Sequence, residues 1–391
     1  MLKNRYITDA ILEDLSDKMV FIGGPRQVGK TTLSKDLIAQ QFNTFQYYNW
    51  DNREDRKEII KPGWPAQADI LIFDEIHKYR HWKSFIKGEY DKLKERFKFI
   101  VTGSARLDVY RRGGDSMQGR YHYYRLHPFS MAETCGVKNE IKPFDELKIK
   151  DEIETDIFLT LDRFGGFPEP FIKQNDRTLR RWHNERVERL IREDIRDLTA
   201  VRDISGLSLL CDMLPGRAAN LLSINSLRED LNVSHRALTN WFNILESMYY
   251  CFRLYPFAGE NFRSLKKEPK LYLWDWSEIS GEAARFENLV ASHLLKFVHF
   301  LRDYNGFKSD LRYLRSVEKK EVDFLVIHNN KPWFAVEAKV NKTTASPNLE
   351  YFGKKINIPF LFQVIKKPDT DIITDHNIRI VSADRFLLSL I

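Results

Sequence analysis

The stretch Gly24-Pro25-Arg26-Gln27-Val28-Gly29-Lys30-Thr31 decides the fold. It fits G-x-x-x-x-G-K-[ST], a loop whose glycines let backbone N–H groups wrap a phosphate that a Cβ would obstruct. The apolar run Met19–Ile22 before it predicts a strand. The run Thr31–Gln40 after it predicts a helix, whose N-terminus adds a favourable dipole for an anion. In this setting Gly24, Pro25, Arg26, Gln27, Val28, Gly29, Lys30, Thr31 and Thr32 form a nucleotide-binding segment. Lys30 is expected to reach the β- and γ-phosphates of ATP, and the Thr31 hydroxyl to ligate magnesium.

Working outward, Thr44–Tyr48, Ile70–Phe73, Phe97–Val101 and Tyr121–Arg125 read as further strands alternating with helical patterns. That order predicts an α/β domain, and the near-continuous apolar runs suit parallel strands buried on both faces. Ile70–Phe73 delivers Asp74 and Glu75 at its C-terminal end, where open α/β sheets bind ligands. Asp74 is expected to hold the magnesium and Glu75 to polarise the attacking water. The strand Thr44–Tyr48 between the two motifs, and the Glu beside the Asp, point to the ATPase branch of the P-loop NTPases that inserts a strand. Val101-Thr102-Gly103-Ser104 ends the fourth strand: either Ser104 or Thr102 senses the γ-phosphate, or both cap the next helix. Arg120 either neutralises transition-state charge, in cis or from a neighbouring subunit, or pairs with surface carboxylates.

The remaining composition sets limits. With 391 residues, 43% hydrophobic and 30% charged, the chain has the length for two to three domains with buried cores, which excludes a wholly disordered or low-complexity polypeptide. The 62 Lys+Arg against 55 Asp+Glu give a net charge of +7, compatible with nucleic acid without establishing it. No segment approaches the roughly 20 apolar residues of a membrane span. Cys135, Cys211 and Cys251 are far apart, show no metal-ligand pairing, and are expected to be reduced thiols of a cytoplasmic protein.

From about Glu140 to Arg202 the pattern turns helical and charged, with eight arginines between Arg177 and Arg202 interleaved with acids. It reads as a solvated helix laced with ion pairs. Ser226–Leu231, a turn at Asn232-Val233-Ser234, and His235–Glu246 read as helix, turn, helix with Ser234 as N-cap, ahead of a β-like run at Tyr249–Tyr255. A helix around Glu282–Phe300 then precedes strands at Leu311–Arg315, Val322–Ile327, Trp333–Ala338 and Phe360–Val364.

Taken together, the chain resembles a large prokaryotic family of AAA-type predicted ATPases that carry a C-terminal domain of unknown function. The resemblance rests on Gly23–Thr32, on Asp74-Glu75-Ile76-His77-Lys78 with Trp82 beyond, and on Thr102-Gly103-Ser104, Gly119-Arg120 and Leu126-His127-Pro128-Phe129-Ser130. It continues through Gly165-Gly166-Phe167-Pro168-Glu169 and the late Glu-Val-Asp-Phe and Val-Glu-Ala-Lys motifs. It implies an AAA-type core at 1–135, a helical segment at 136–205, a winged helix at 206–257 and a restriction-nuclease-like domain at 258–391. Leu227, Leu231, Val233, Leu238, Trp241, Phe242 and Leu245 give the apolar spacing of a small helical core. The face of His235, Arg236, Thr239, Asn240 and Asn243 would meet DNA, or the module would contact a protein partner. Asp323, then Glu337 and Lys339 on one face of the next strand, look like the D…E-x-K core of that nuclease fold, with Glu287 as its extra carboxylate. A divalent metal would bind among Glu287, Asp323 and Glu337 beside Lys339, unless Lys339 and Asp323 form a structural ion pair. The implied whole is a magnesium-dependent ATPase, as a homo-oligomer, acting on DNA or switching on a protein partner.

Overall fold

The computed structural model describes residues 4–103, 117–191, 203–258 and 268–391. Two compact units emerge, Met1–His127 and Pro128–Ile391. In the first unit β1 (Met19–Gly23), β2 (Phe45–Asn49), β3 (Ile70–Asp74), β4 (Lys98–Thr102) and β5 (Tyr121–Arg125) form one parallel sheet in the order β2-β3-β4-β1-β5. All five residues of β1 and of β3 are buried, which is why both read as unbroken apolar runs. Phe21, Tyr48, Phe73, Phe99 and Tyr123 on one sheet face pack with Trp82, Ile86 and Tyr90 of the helix Trp82–Leu93. The inserted strand is β2 in sequence but β4 in space: Val20 pairs with Ile100 and Ile72 with Ile100, so β4 separates the loop strand from the Asp74 strand. The parallel registers Ile22↔Thr102, Asp74↔Thr102 and Asn49↔Asp74 align these strand ends along one sheet edge.

In the second unit the described helical stretch begins at Thr155, later than the expected Glu140. It consists of Thr155–Phe164, Pro168–Lys173 and Asp176–Arg189, and the arginines beyond Arg189 up to Arg202 lie outside the described residues. Arg163–Asp176 and Arg189–Glu185 are surface pairs of the expected kind, whereas Arg186 is buried against Glu278. Helices Ile224–Asp230 and His235–Ser247 follow, the latter capped by the Ser234 hydroxyl, which accepts from Ala237 N–H. Leu227, Leu238, Trp241, Phe242 and Leu245 are buried as their spacing implies. The strand β6 (Cys251–Leu254) pairs antiparallel with β7 (Lys270–Leu273), so the boundary expected at 257 divides a strand pair.

The C-terminal sheet contains β8 (Ser309–Arg315), β9 (Glu321–His328), β10 (Lys331–Lys339), β11 (Phe360–Ile365), β12 (Asp371–Ile373) and β13 (Ile378–Ser382), ordered β12-β13-β11-β10-β9-β8. Strands β8, β9 and β10 form an antiparallel meander, and β11 joins β10 in parallel after the helix Pro347–Ile356. The long helix Glu282–Asp303 packs on β8, β9 and β10. Among the described residues no helix is long and apolar enough to cross a membrane.

Candidate functional site

The loop after β1 has the shape its glycines promised. Gly24 has φ 144°, and a Cβ there would lie 2.5 Å from the Leu126 carbonyl oxygen. Gly29 also has positive φ. Lys30, 8% exposed, donates to the Gly24 carbonyl at 3.1 Å and the Pro25 carbonyl at 2.7 Å, so its ammonium lies inside the loop. The helix Thr32–Ile38, of π type, starts at the next turn.

Asp74 ends β3 at the same sheet edge. Its Oδ2 accepts from Thr31 Oγ1 at 2.8 Å and from Tyr47 Oη at 2.6 Å, and its Oδ1 accepts from Thr102 Oγ1. Thr31 and Asp74, the two expected magnesium ligands, are thus already side by side. Thr102 faces Asp74, because the register puts the two in line. Ser104 lies outside the described residues. Burial and the Asp74 carboxylate push the Tyr47 hydroxyl well above its ordinary value, so it stays a donor.

Glu75 follows in the left-handed region, at φ 55° and ψ 19°, a conformation a non-glycine residue holds only when its surroundings enforce it. Its Oε2 is buried and accepts no hydrogen bond, with His77 Nε2 at 3.5 Å and Lys78 Nζ at 3.6 Å. Desolvation pushes its pKa up, against the opposing pull of Lys30 and Lys78. A carboxylate with a free lone pair and a raised pKa can take a proton from water.

Two arginines fix how this edge relates to the rest of the sheet; Arg120 takes the surface-pairing alternative. Arg120 does not reach this site within its own chain. It precedes β5, and its carbonyl accepts from Met19 N–H at the start of β1. The loop leaves β1 at the other end, roughly 15 Å away at about 3.3 Å per strand residue. There Arg120 donates to both Asp91 oxygens, at 2.7 and 3.1 Å. The other is Arg5, which sequence reasoning passed over: it is 6% exposed and donates to the Val28 carbonyl at 2.8 Å and the His127 carbonyl at 2.6 Å. Its only sequence signal is a cation three residues before the helix Thr8–Asp14.

The late carboxylates form a second cluster, with a member the sequence analysis did not name. The register Phe324↔Val336 brings Asp323 and Glu337 onto neighbouring strands as predicted. Glu287 reaches the cluster from the helix Glu282–Asp303. At its centre, however, lies the ammonium of Lys270, 3% exposed, at 2.7 Å from Glu321 Oε1 and 3.2 Å from both Glu287 Oε1 and Asp323 Oδ1. Tyr272 Oη donates to Glu287 Oε1 at 2.8 Å, and Ala338 N–H to Asp323 Oδ2 at 3.1 Å. Glu337 turns instead to Lys339 Nζ at 2.9 Å and to the Ser346 hydroxyl. Lys339 therefore pairs with Glu337, not with Asp323. Among the described residues no group of three or more His, Cys, Asp or Glu side chains is arranged to hold a metal ion. The Lys270 amine supplies a positive charge among these carboxylates. Burial, reinforced by Asp323, raises Glu287 to about 7 against the pull of Lys270. Burial opposes the charge on Lys270, but Tyr272, Asp323, Glu287 and Glu321 outweigh it and hold the ammonium protonated.

Comparison with known proteins matches three parts of the chain. Residues 16–135 match the AAA domain family, residues 158–279 a domain of unknown function (DUF8612), and residues 283–383 a second domain of unknown function (DUF4143). The chain thus joins an AAA-type domain to C-terminal domains of unknown function. An uncharacterised protein of Methanocaldococcus jannaschii is 25% identical over 374 residues, covering 89% of this chain and 81% of that protein. A second from the same organism is 23% identical, with 67% and 62% covered. An uncharacterised protein of Mycobacterium tuberculosis is 19% identical over 259 residues, and the match spans 54% of its length. Among solved structures, a variant of Thermotoga maritima RuvB superposes with TM-score 0.30 at 16% identity, covering 63% of this chain and 87% of that one. Caenorhabditis elegans PCH-2 gives 0.22 at 13% identity, covering 61% and 66%.

Proposed function

We propose that this chain is a magnesium-dependent ATPase that works as a homo-oligomer on DNA. The observation that carries the nucleotide part is the convergence of Lys30, Thr31, Asp74 and Glu75 at one sheet edge, within the stretch that matches the AAA domain family. The segment Gly24–Thr32 would hold the phosphates, with Lys30 exchanging its two carbonyl partners for phosphate oxygens. Thr31 and Asp74 would hold magnesium: a hydroxyl 2.8 Å from a carboxylate is a pair of hard oxygen donors of the kind that ion takes alongside phosphate. Glu75 would orient the attacking water and accept its proton. Arg120, excluded in cis by its position, would serve the nucleotide of a neighbouring copy.

The partner assignment rests on the second unit. The helix His235–Ser247 exposes His235, Arg236, Asn240 and Asn243 beside the β6–β7 hairpin, a winged-helix arrangement suited to a groove of DNA. The order helix, three antiparallel strands, helix, parallel strand after Gly281 supports the restriction-nuclease-like reading. A protein partner is the second reading, favoured by Arg236 being the single arginine or lysine on that helix. The test is ATP turnover with duplex, single-stranded or branched DNA over a range of salt. Stimulation that fades with salt supports the DNA reading. Turnover indifferent to every DNA form moves the partner to protein. In mixed oligomers, Arg120→Ala and Lys30→Ala should partly restore each other; no rescue removes the arginine from the neighbour's site.

A further inference from the structure

The carboxylate cluster of the second unit faces a problem that a metal ion ordinarily solves. Glu287, Glu321 and Asp323 bring three carboxyl groups into one partly buried space, and buried carboxylates demand a counter-charge. Here the counter-charge is covalently part of the chain. The Lys270 ammonium has three N–H donors and meets three carboxylate oxygens from three different carboxylates, at 2.7, 3.2 and 3.2 Å. These are the N···O lengths of an ammonium's hydrogen bonds.

The placement is built in by the hairpin. Lys270 is the first residue of β7, locked by its register with Leu254 and by a bridge to Leu221. Two residues on, and so on the same side of the strand, Tyr272 donates to Glu287 as well. The second oxygens of Glu321 and Asp323, and both oxygens of Glu337, are also engaged: Glu321 with Arg315, Asp323 with Ala338 N–H, and Glu337 with Lys339 and Ser346.

We propose that Lys270 is the resident cation of this site: its ammonium, delivered by strand β7, takes the place of a divalent metal, so that the full chain binds no divalent ion among Glu287, Asp323 and Glu337. The site is then a structural anchor fastening the hairpin to the C-terminal sheet, and a divalent ion can enter only when the amine is gone.

The proposal is tested on the full chain with manganese and iron as probes. Wild type and Asp323→Asn should bind the same number of Mn2+ ions, because no ion in wild type depends on Asp323. Lys270→Met should gain one Mn2+ per chain, and Lys270→Met combined with Asp323→Asn should lose it again. If Lys270→Met does not fold, Fe2+-directed backbone cleavage of the wild type still decides: no cuts are expected around residues 321–339. Asp323-dependent Mn2+ binding in wild type, iron-directed cuts there, or a folded Lys270→Met that gains no ion would each overturn it.

Discussion

Asp74 and Asp323 are two buried aspartates on strands one in from a sheet edge, 5% and 8% exposed, yet their surroundings treat them in opposite ways. Asp74 is satisfied by three neutral hydroxyls, from Thr31, Tyr47 and Thr102. Asp323 is satisfied by an ammonium and a backbone N–H. Hydroxyls meet a carboxylate's hydrogen-bonding needs but leave its charge uncancelled, so the first site still has electrostatic work for a cation to do. An ammonium cancels the charge, and the second site has none left. A motif of carboxylates read from sequence cannot separate these cases, because the difference lies in who supplies the partner.

The comparison breaks most visibly on the ATP side. Lys30→Ala is expected to lower ATP turnover about 100- to 1,000-fold by removing the main cation on the phosphates. Glu75→Gln should keep ATP binding while turnover falls by roughly 100- to 10,000-fold, the span of general-base losses. Nucleotide binding by fluorescence and phosphate release by steady-state assay separate the two. Equal turnover in wild type and Glu75→Gln would take the proton-accepting role from this residue.

On the anchored side the expected effect is on stability. Asp323→Asn leaves Lys270 short of one counter-charge in a buried place, at about 2 kcal/mol. The urea midpoint of the second unit should fall accordingly, while ATP turnover per folded molecule is unchanged. An unchanged midpoint would mean that Glu287 and Glu321 alone suffice to hold the amine.

The pH dependence sharpens the same contrast. Desolvation raises Glu75 above the ordinary glutamate value of 4.5. A raised carboxyl takes its proton earlier as pH falls, so the acid limb of kcat should lie above pH 4.5. Glu75→Gln should lose that limb along with most of its rate. A limb at or below the ordinary value would show that Lys30 and Lys78 outweigh burial in the working enzyme.

How far each site was legible follows from the range of its contacts. The phosphate loop, the Asp74 strand and their shared sheet edge are local patterns, and β1 and β3 appeared at their observed positions to within one residue. Glu287, Asp323 and Glu337 were recognisable as residues, and even their strand pairing was correct. Their partner was not, because Lys270 opens a four-residue strand, Lys-Leu-Tyr-Leu, too short to stand out beside a long apolar helix. Tyr47 was hidden for the same reason: nothing local shows that β2 lies beside β3 and aims a phenol at Asp74. Arg120 was legible as an arginine before a strand, but its end of the sheet became clear only once β5 was seen to run parallel to β1.

Arg5 gives the smallest expected effect and the finest test of the open site. Its guanidinium spans the Val28 and His127 carbonyls, one in the phosphate loop and the other just past β5. A lysine keeps the charge but has a point-like head that cannot span two acceptors as a planar fork does. Losing one such bond costs about 1 kcal/mol, and a loop freed at Val28 should bind ATP roughly 5-fold more weakly. Because Arg5 touches the loop from behind and carries no proton in the reaction, kcat should move less than KM in Arg5→Lys. A fall in kcat with KM unchanged would instead mean that the loop's resting shape is indifferent to Arg5, and that the cation matters only once the phosphates react.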